Sequence, residues 1–144
     1  MKPQDYASHR RHNPLYHFVL VGFVVATLIG SLVNLALSFG NHDRLFGAAL
    51  IVALSVIAQA LCWYARSFAL KAQDRAIRAE ENFRHYILTG RVLDPRLTLR
   101  QIIGLRFASD EEFPELARKA ITDNMSEEAI KRAVKNWRAD YHRA

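Results

Sequence analysis

The chain is poor in the residues that would give it chemistry of its own. It has one cysteine, Cys62, so an internal disulfide and a metal site built from cysteines are both excluded. Cys62 sits beside Trp63, where its plain reading is a small residue at the edge of an apolar run. No Asp, Glu, Lys or Arg occurs in residues 15–39 or 45–65, which removes the usual mark of a segment that moves ions or protons across a membrane. No phosphate loop, nucleophile elbow or paired-carboxylate cleft is legible. The expectation is a protein that is not an enzyme and carries no cofactor.

The histidines do not change this. His9, His12 and His17 form a loose cluster beside Arg10 and Arg11. With no carboxylate or cysteine at ligand spacing and with cations next to them, they make a poor divalent-metal site. A haem between apolar helices would need a second axial ligand level with His17, and the region around Phe68 offers none. A boundary role, on lipid headgroups or a partner, is the expected one.

What the chain does have is two charge-free apolar runs, 15–39 and 45–65, separated by residues 40–44. Each exceeds the roughly 20 residues a helix needs to cross a hydrocarbon core. A cleaved secretory signal has an apolar region of only about 7 to 15 residues. The runs therefore predict a retained membrane hairpin. Lys2, Arg10 and Arg11 precede it and Arg66, Lys71, Arg75 and Arg78 follow it, whereas the loop offers Arg44 alone, next to Asp43. That bias puts both termini in the cytoplasm, with Tyr16, Trp63 and Tyr64 at the cytoplasmic interface and Phe39 and Phe46 at the other. Asn13 and Pro14 have the chemistry of an N-cap and first helical residue.

Along the first run Gly22, Ala26, Gly30, Asn34 and Ser38 recur every fourth residue. Small residues let helices approach closely in lipid, where association depends on packing and polar contacts. A hairpin folded about the middle of the loop puts Gly30 and Ser31 level with Ser55. Thr27 then comes level with Gln59, whose amide needs a hydrogen-bond partner at that depth. The stripe is thus read first as packing between the protein's own two helices, and second as docking onto a partner's.

From Ala65 the helical pattern continues to Thr89, where Gly90 supplies a stop. Within it Phe68, Ala72, Ala76, Ala79, Phe83 and Tyr86 or Ile87 alternate steps of four and three, the pattern of a short coiled-coil seam. A helix over 45–89 would be about 68 Å long at about 1.5 Å per residue. The nearest candidate to cover such a stalk is the protein's own C-terminal part.

That part reads as short helices. Thr98 with Gln101 and Ser109 with Glu112 have capping-box spacing, and Ser126 can cap a further helix whose first turn carries Glu127 and Glu128. Phe113, Leu116, Ala117, Ala120 and Ile121 form one apolar face, and Ile130, Ala133, Val134, Trp137 and Tyr141 another. Phe107, Phe113, Trp137 and Tyr141 are the candidates for a contact surface or a core. Opposite the second face, Lys131, Lys135, Arg138 and His142 make a cationic row suited to anionic lipid, nucleic acid or an acidic subunit. Acidic residues elsewhere in 66–144 nearly balance the basic ones, and simple solvation is the plainer reading. Nucleic acid is disfavoured because no zinc-finger or RNA-recognition signature is present.

NPLYHFV at 13–19, RQIIGLRFASDEEFPELARKA at 100–120 and IKRAVKNWRADYHR at 130–143 resemble an uncharacterised family of small bacterial membrane proteins, a domain of unknown function. The resemblance covers nearly the whole chain. It implies a two-span hairpin and a cytoplasmic helical domain, and it carries no activity or catalytic residues.

The expected protein is all-α and lies in the bacterial cytoplasmic membrane. It has an N-terminal tail (1–14), a transmembrane hairpin (15–65), a stalk helix (66–90) and a small cytoplasmic domain (91–144). Its expected partners are membrane lipids and membrane-protein subunits of a larger complex, an energy-transducing one among the candidates, or a second copy. Its expected role is that of a non-catalytic accessory or scaffolding subunit. The alternative is a membrane-tethered regulator or assembly factor whose basic domain binds anionic lipid or, less well supported, nucleic acid. The membrane contact residues are expected to be Gly22, Ala26, Gly30, Asn34, Ser55 and Gln59.

Overall fold

The computed structural model describes residues 5, 6 and 14–140, the His17 side chain excepted, and among them every regular element is helical. A π-helical turn, Leu15–Leu20, runs into α1, Val21–Leu37. Then come α2, His42–Thr89, α3, Leu99–Leu105, α4, Phe113–Thr122, and α5, Glu127–Ala133. Two compact units result. One is His12–Phe68, and the other joins Ala69–Ala144 to the described residues of Met1–Arg11.

In the first unit, Phe18–Leu37 and the apolar part of α2 are each long and apolar enough to cross a membrane, and little of either is covered by the rest of the protein. The turn between them is tighter than the sequence suggests. Gly40 takes φ +90°, a left-handed conformation open to glycine. Asn41 then caps α2, its Oδ1 accepting from the Arg44 amide at 3.2 Å and its carbonyl from the Leu45 amide at 3.0 Å. The helix thus starts at His42 rather than Leu45. Counting outward from Ser38 and Asn41, Ser31 comes level with Ala48 and Val24 with Ser55, so the expected pairing of Ser31 with Ser55 is displaced.

Burial follows that register. On α1, Ser31 and Ser38 are buried and Val24, Leu28 and Leu35 half-buried; on α2, Ala48 and Ser55 are buried and Val52, Gln59 and Cys62 half-buried. Both rows alternate steps of three and four, the spacing that keeps one helix face turned to its neighbour. The buried hydroxyls are satisfied locally. Ser31 donates to the Leu28 carbonyl, Ser38 to Asn34 and Ser55 to Ile51, all at 2.7–2.8 Å. At the open end Tyr16 donates to the Cys62 carbonyl at 3.0 Å, with the Arg66 guanidinium over its ring.

The second unit has an ordinary water-type core of Leu105, Phe107, Phe113, Leu116, Ala120 and Ile130. Its helices begin where their caps dictate. Thr98 and Gln101 form a complete capping box on α3, and Ser126 accepts from the Ala129 amide to start α5. At the second predicted box only one arm survives. Glu112 itself occupies the N-cap of α4, with Pro114 in the first turn, while its carboxylate reaches back to the Ser109 amide. Gln101 is buried, and its amide nitrogen donates to the Ala120 and Met125 carbonyls, tying α3 to the end of α4. Gly104 lies where α3 and α5 cross. A Cβ there would stand 3.0 Å from the Glu127 carbonyl oxygen.

The expected last helix, reaching Tyr141, stops at Ala133. Val134 turns extended, and the Glu112 carboxylate accepts from the Lys135 and Asn136 amides at 3.1 Å each. Trp137 swings back onto Phe107, ring centroids 4.9 Å apart, and the Arg138 amide donates to the Phe107 carbonyl. A carboxylate and an aromatic contact thus outweigh about two more turns of helix.

Candidate interaction surfaces

The four-residue stripe is not the hairpin seam. Gly22, Ala26, Gly30 and Asn34 are exposed, and a Cβ at Gly22 or Gly30 would meet nothing within 4 Å. The reason is geometric. Successive steps of four residues advance about 40° beyond a full turn of a 3.6-residue helix, so the row winds around α1 and reaches the buried face only at Ser38. Of the predicted α2 positions, Ser55 is buried in the seam. Gln59 Oε1 is also buried and accepts no hydrogen bond from the protein, while Thr27, its expected partner, donates instead to the Phe23 carbonyl of its own helix.

In the second unit, Phe107 and Phe113 are fully buried core and Trp137 is half-buried against them. Tyr141, His142, His9 and His12 lie outside the described residues. The cationic row is not formed. Lys131 is buried against Glu127 at 2.6 Å and Glu128 at 3.3 Å, and Lys135 and Arg138 lie past the end of α5. Arg138 points toward Glu81, 3.6 Å away. A single helical frame through Tyr141 put Lys131 opposite the apolar face; the glutamates one turn earlier draw it in.

Two features escaped the sequence reading. Arg84 donates to Glu81 at 2.9 Å, Asp110 at 2.7 Å and the Ala108 carbonyl at 2.7 Å, and it lies 4.5 Å from the Phe113 ring centroid. Burial pushes the Glu81 carboxyl above its ordinary range, against the opposing pull of Arg84 and Arg138. These contacts fasten Ile77, Glu81 and Arg84 on α2 to the small domain. The second feature is Tyr6, whose hydroxyl donates to Glu128 at 2.7 Å and accepts from Arg132 at 3.1 Å. An aromatic residue in an otherwise polar tail was the available signal.

A cleft of about 1010 Å³ opens between the end of α2, the 91–97 loop and α4, over Leu93, Pro95, Ala117 and Ile121. Its charges are largely spent on each other. Arg96 binds Asp94, whose carboxyl is held down to about 2 by those hydrogen bonds, and Arg118 binds Glu115. Among the described residues no cluster of three His, Cys, Asp or Glu side chains could hold a metal.

The surface of the second unit that remains open is on α2. Ala72, Ala76, Ala79, Phe83 and Tyr86 are exposed on the side opposite Ile77, Glu81 and Arg84. The small domain packs chiefly on that other face, and its 91–97 loop borders the predicted coiled-coil seam at Ala79. No curated protein and no solved structure matches the chain. A family model described as a family of unknown function, DUF6526, matches residues 1–144, and the chain belongs to that family.

Proposed function

We propose that this DUF6526 member is a non-catalytic accessory or scaffolding subunit of a bacterial cytoplasmic-membrane complex, with both termini in the cytoplasm. The observation that carries this reading is the uncovered apolar surface of the first unit. Phe23, Ile29, Leu54 and Leu61 are exposed on helices that bury only small residues between them. In water such a surface would be far larger than a monomer tolerates; in hydrocarbon it is at rest. The basic residues at both outer ends support the orientation. The role of holding other proteins is supported by an exposed small-residue surface, the Gly22–Ala26–Gly30 side of α1.

The test is purification in mild detergent from native membranes, followed by native mass measurement and identification of whatever co-purifies. Stoichiometric membrane subunits are expected. A monomer free of any protein partner would overturn the scaffold reading. In parallel, a cysteine at Asn41 in a Cys62→Ala background is expected to be labelled from outside intact cells, while one at Asp123 is not; the reverse pattern would invert the orientation.

A further inference from the structure

We infer that the open face of α2 between Ala72 and Tyr86 is the contact surface for a second copy of this chain, joined as a short parallel coiled coil. The inference rests on the membrane reading above, because two copies inserted the same way in one bilayer present their α2 helices parallel.

The face has the right pattern and the right edges. Taking Ala69, Ala76 and Phe83 as a positions puts Ala72, Ala79 and Tyr86 at d, so small residues line most of the seam and aromatic rings close its far end. Phe83 is 66% exposed and Tyr86 51%, which a water-facing helix has no reason to prefer. In this frame Arg75 falls at g and Glu80 at e. A parallel pair brings each g residue opposite the e residue five positions on in its neighbour, so Arg75 of one copy faces Glu80 of the other, twice by symmetry. Within one chain these two are too far apart along the helix to meet, and among the described residues neither makes an ion pair or hydrogen bond. An antiparallel pair would instead set e against e and g against g, bringing like residues together. The charges are complementary to the same surface on a second copy in the parallel sense.

Two heptads are short for a free coiled coil. Anchoring supplies what length does not, since confinement to one membrane raises the local concentration and fixes the orientation beforehand. The 91–97 loop borders the seam at Arg75 and Ala79, which line a cleft of about 400 Å³ with it, and Ala72, Ala76, Ala79, Phe83 and Tyr86 all stay exposed beside it.

The experiment places single cysteines at Ala72, Ala76 and Ala79, and at Arg78 as an off-seam position, in full-length Cys62→Ala protein, and oxidises native membranes. Disulfide-linked dimer is expected at the seam positions and not at Arg78. Arg75→Glu or Glu80→Arg in the Ala79→Cys protein should each lower the dimer yield by roughly fivefold, the loss expected of two exposed ion pairs. The double exchange should restore it, which a merely damaged fold would not do. Equal yields at Ala79 and Arg78, or no rescue by the double exchange, would overturn the proposal. So would capture of Ala79→Cys by a different protein on bifunctional cross-linking, and that result would leave the scaffold reading intact. Recovery in alkaline-washed membranes, measured on the same samples, tests the membrane premise; its failure would end both readings.

Discussion

The two units bury opposite kinds of residue. The hairpin encloses Ser31, Ser38, Ala48 and Ser55 and turns Phe23, Leu54 and Leu61 outward, whereas the small domain encloses Phe107, Phe113 and Ile130 and turns most of its charges outward, burying Arg106 and Lys131. On the membrane reading, each meets the solvent that suits its outside. Water drives large apolar groups into a core; hydrocarbon offers no such drive, and there the gain comes from close approach of small residues whose hydroxyls bond to their own helix. The same chain therefore follows two packing rules, and the change-over falls within one uninterrupted helix, α2.

The comparison breaks most visibly at Phe113. Phe113→Ala is expected to cost the small domain about 3–5 kcal/mol, as large-to-small changes in water-type cores do. Proteolysis of the full chain should show 91–140 cleaved early while 15–65 stays protected in the membrane; equal loss in both units would mean they share a core. Glycine gives a finer contrast. Gly104→Ala drives a methyl against the Glu127 carbonyl and Ile130 and should cost about 1–3 kcal/mol by overpacking, read as a fall in the thermal midpoint of the domain.

The small domain also carries a pH signature. Because burial raises the Glu81 carboxyl, the stability it contributes is fully present below its ordinary value of 4.5 and is lost as pH rises through the raised value. Glu81→Gln should flatten the decline in thermal midpoint over that window; an unchanged slope would assign it to another group. Within the hairpin, cysteines at Ser31 and Ala48 in a Cys62→Ala background should cross-link, whereas Ser31 with Ser55 should not. Smallest of all, Gly30→Leu should leave the hairpin within about 0.5 kcal/mol, since Gly30 is exposed and a Cβ there meets nothing within 4 Å. Any loss of recovery in a native complex would then report a neighbour from outside the chain.

Much of this was legible from local chemistry. Gly90 ends α2, Thr98 and Ser126 start α3 and α5, and the apolar face around Phe113 is core, because caps and periodicity act over a few residues. What was not legible depended on distant groups competing with local pattern. The helix expected through Tyr141 lost to the Glu112 carboxylate, more than twenty residues away, and Lys131 left the surface for Glu127. The stripe on α1 was misread for a different reason. A four-residue repeat resembles a face on paper but spirals in space, and only the three-and-four alternation of Val24, Leu28, Ser31 and Leu35 marks the true seam. The C-terminal part does pack on the stalk, but which face it takes was not legible, because it is set by the buried ion pairs at Glu81 and Arg84 and not by the apolar pattern.

Tyr6 adds a constraint of parity. Its hydroxyl bonds Glu128 on α5, so a residue near the start of the chain and one near its end must share a single aqueous space. On the membrane reading, the number of crossings between them has to be even. Losing or gaining one span would not merely relocate a domain; it would tear this bond and leave Arg132 without the ring it covers.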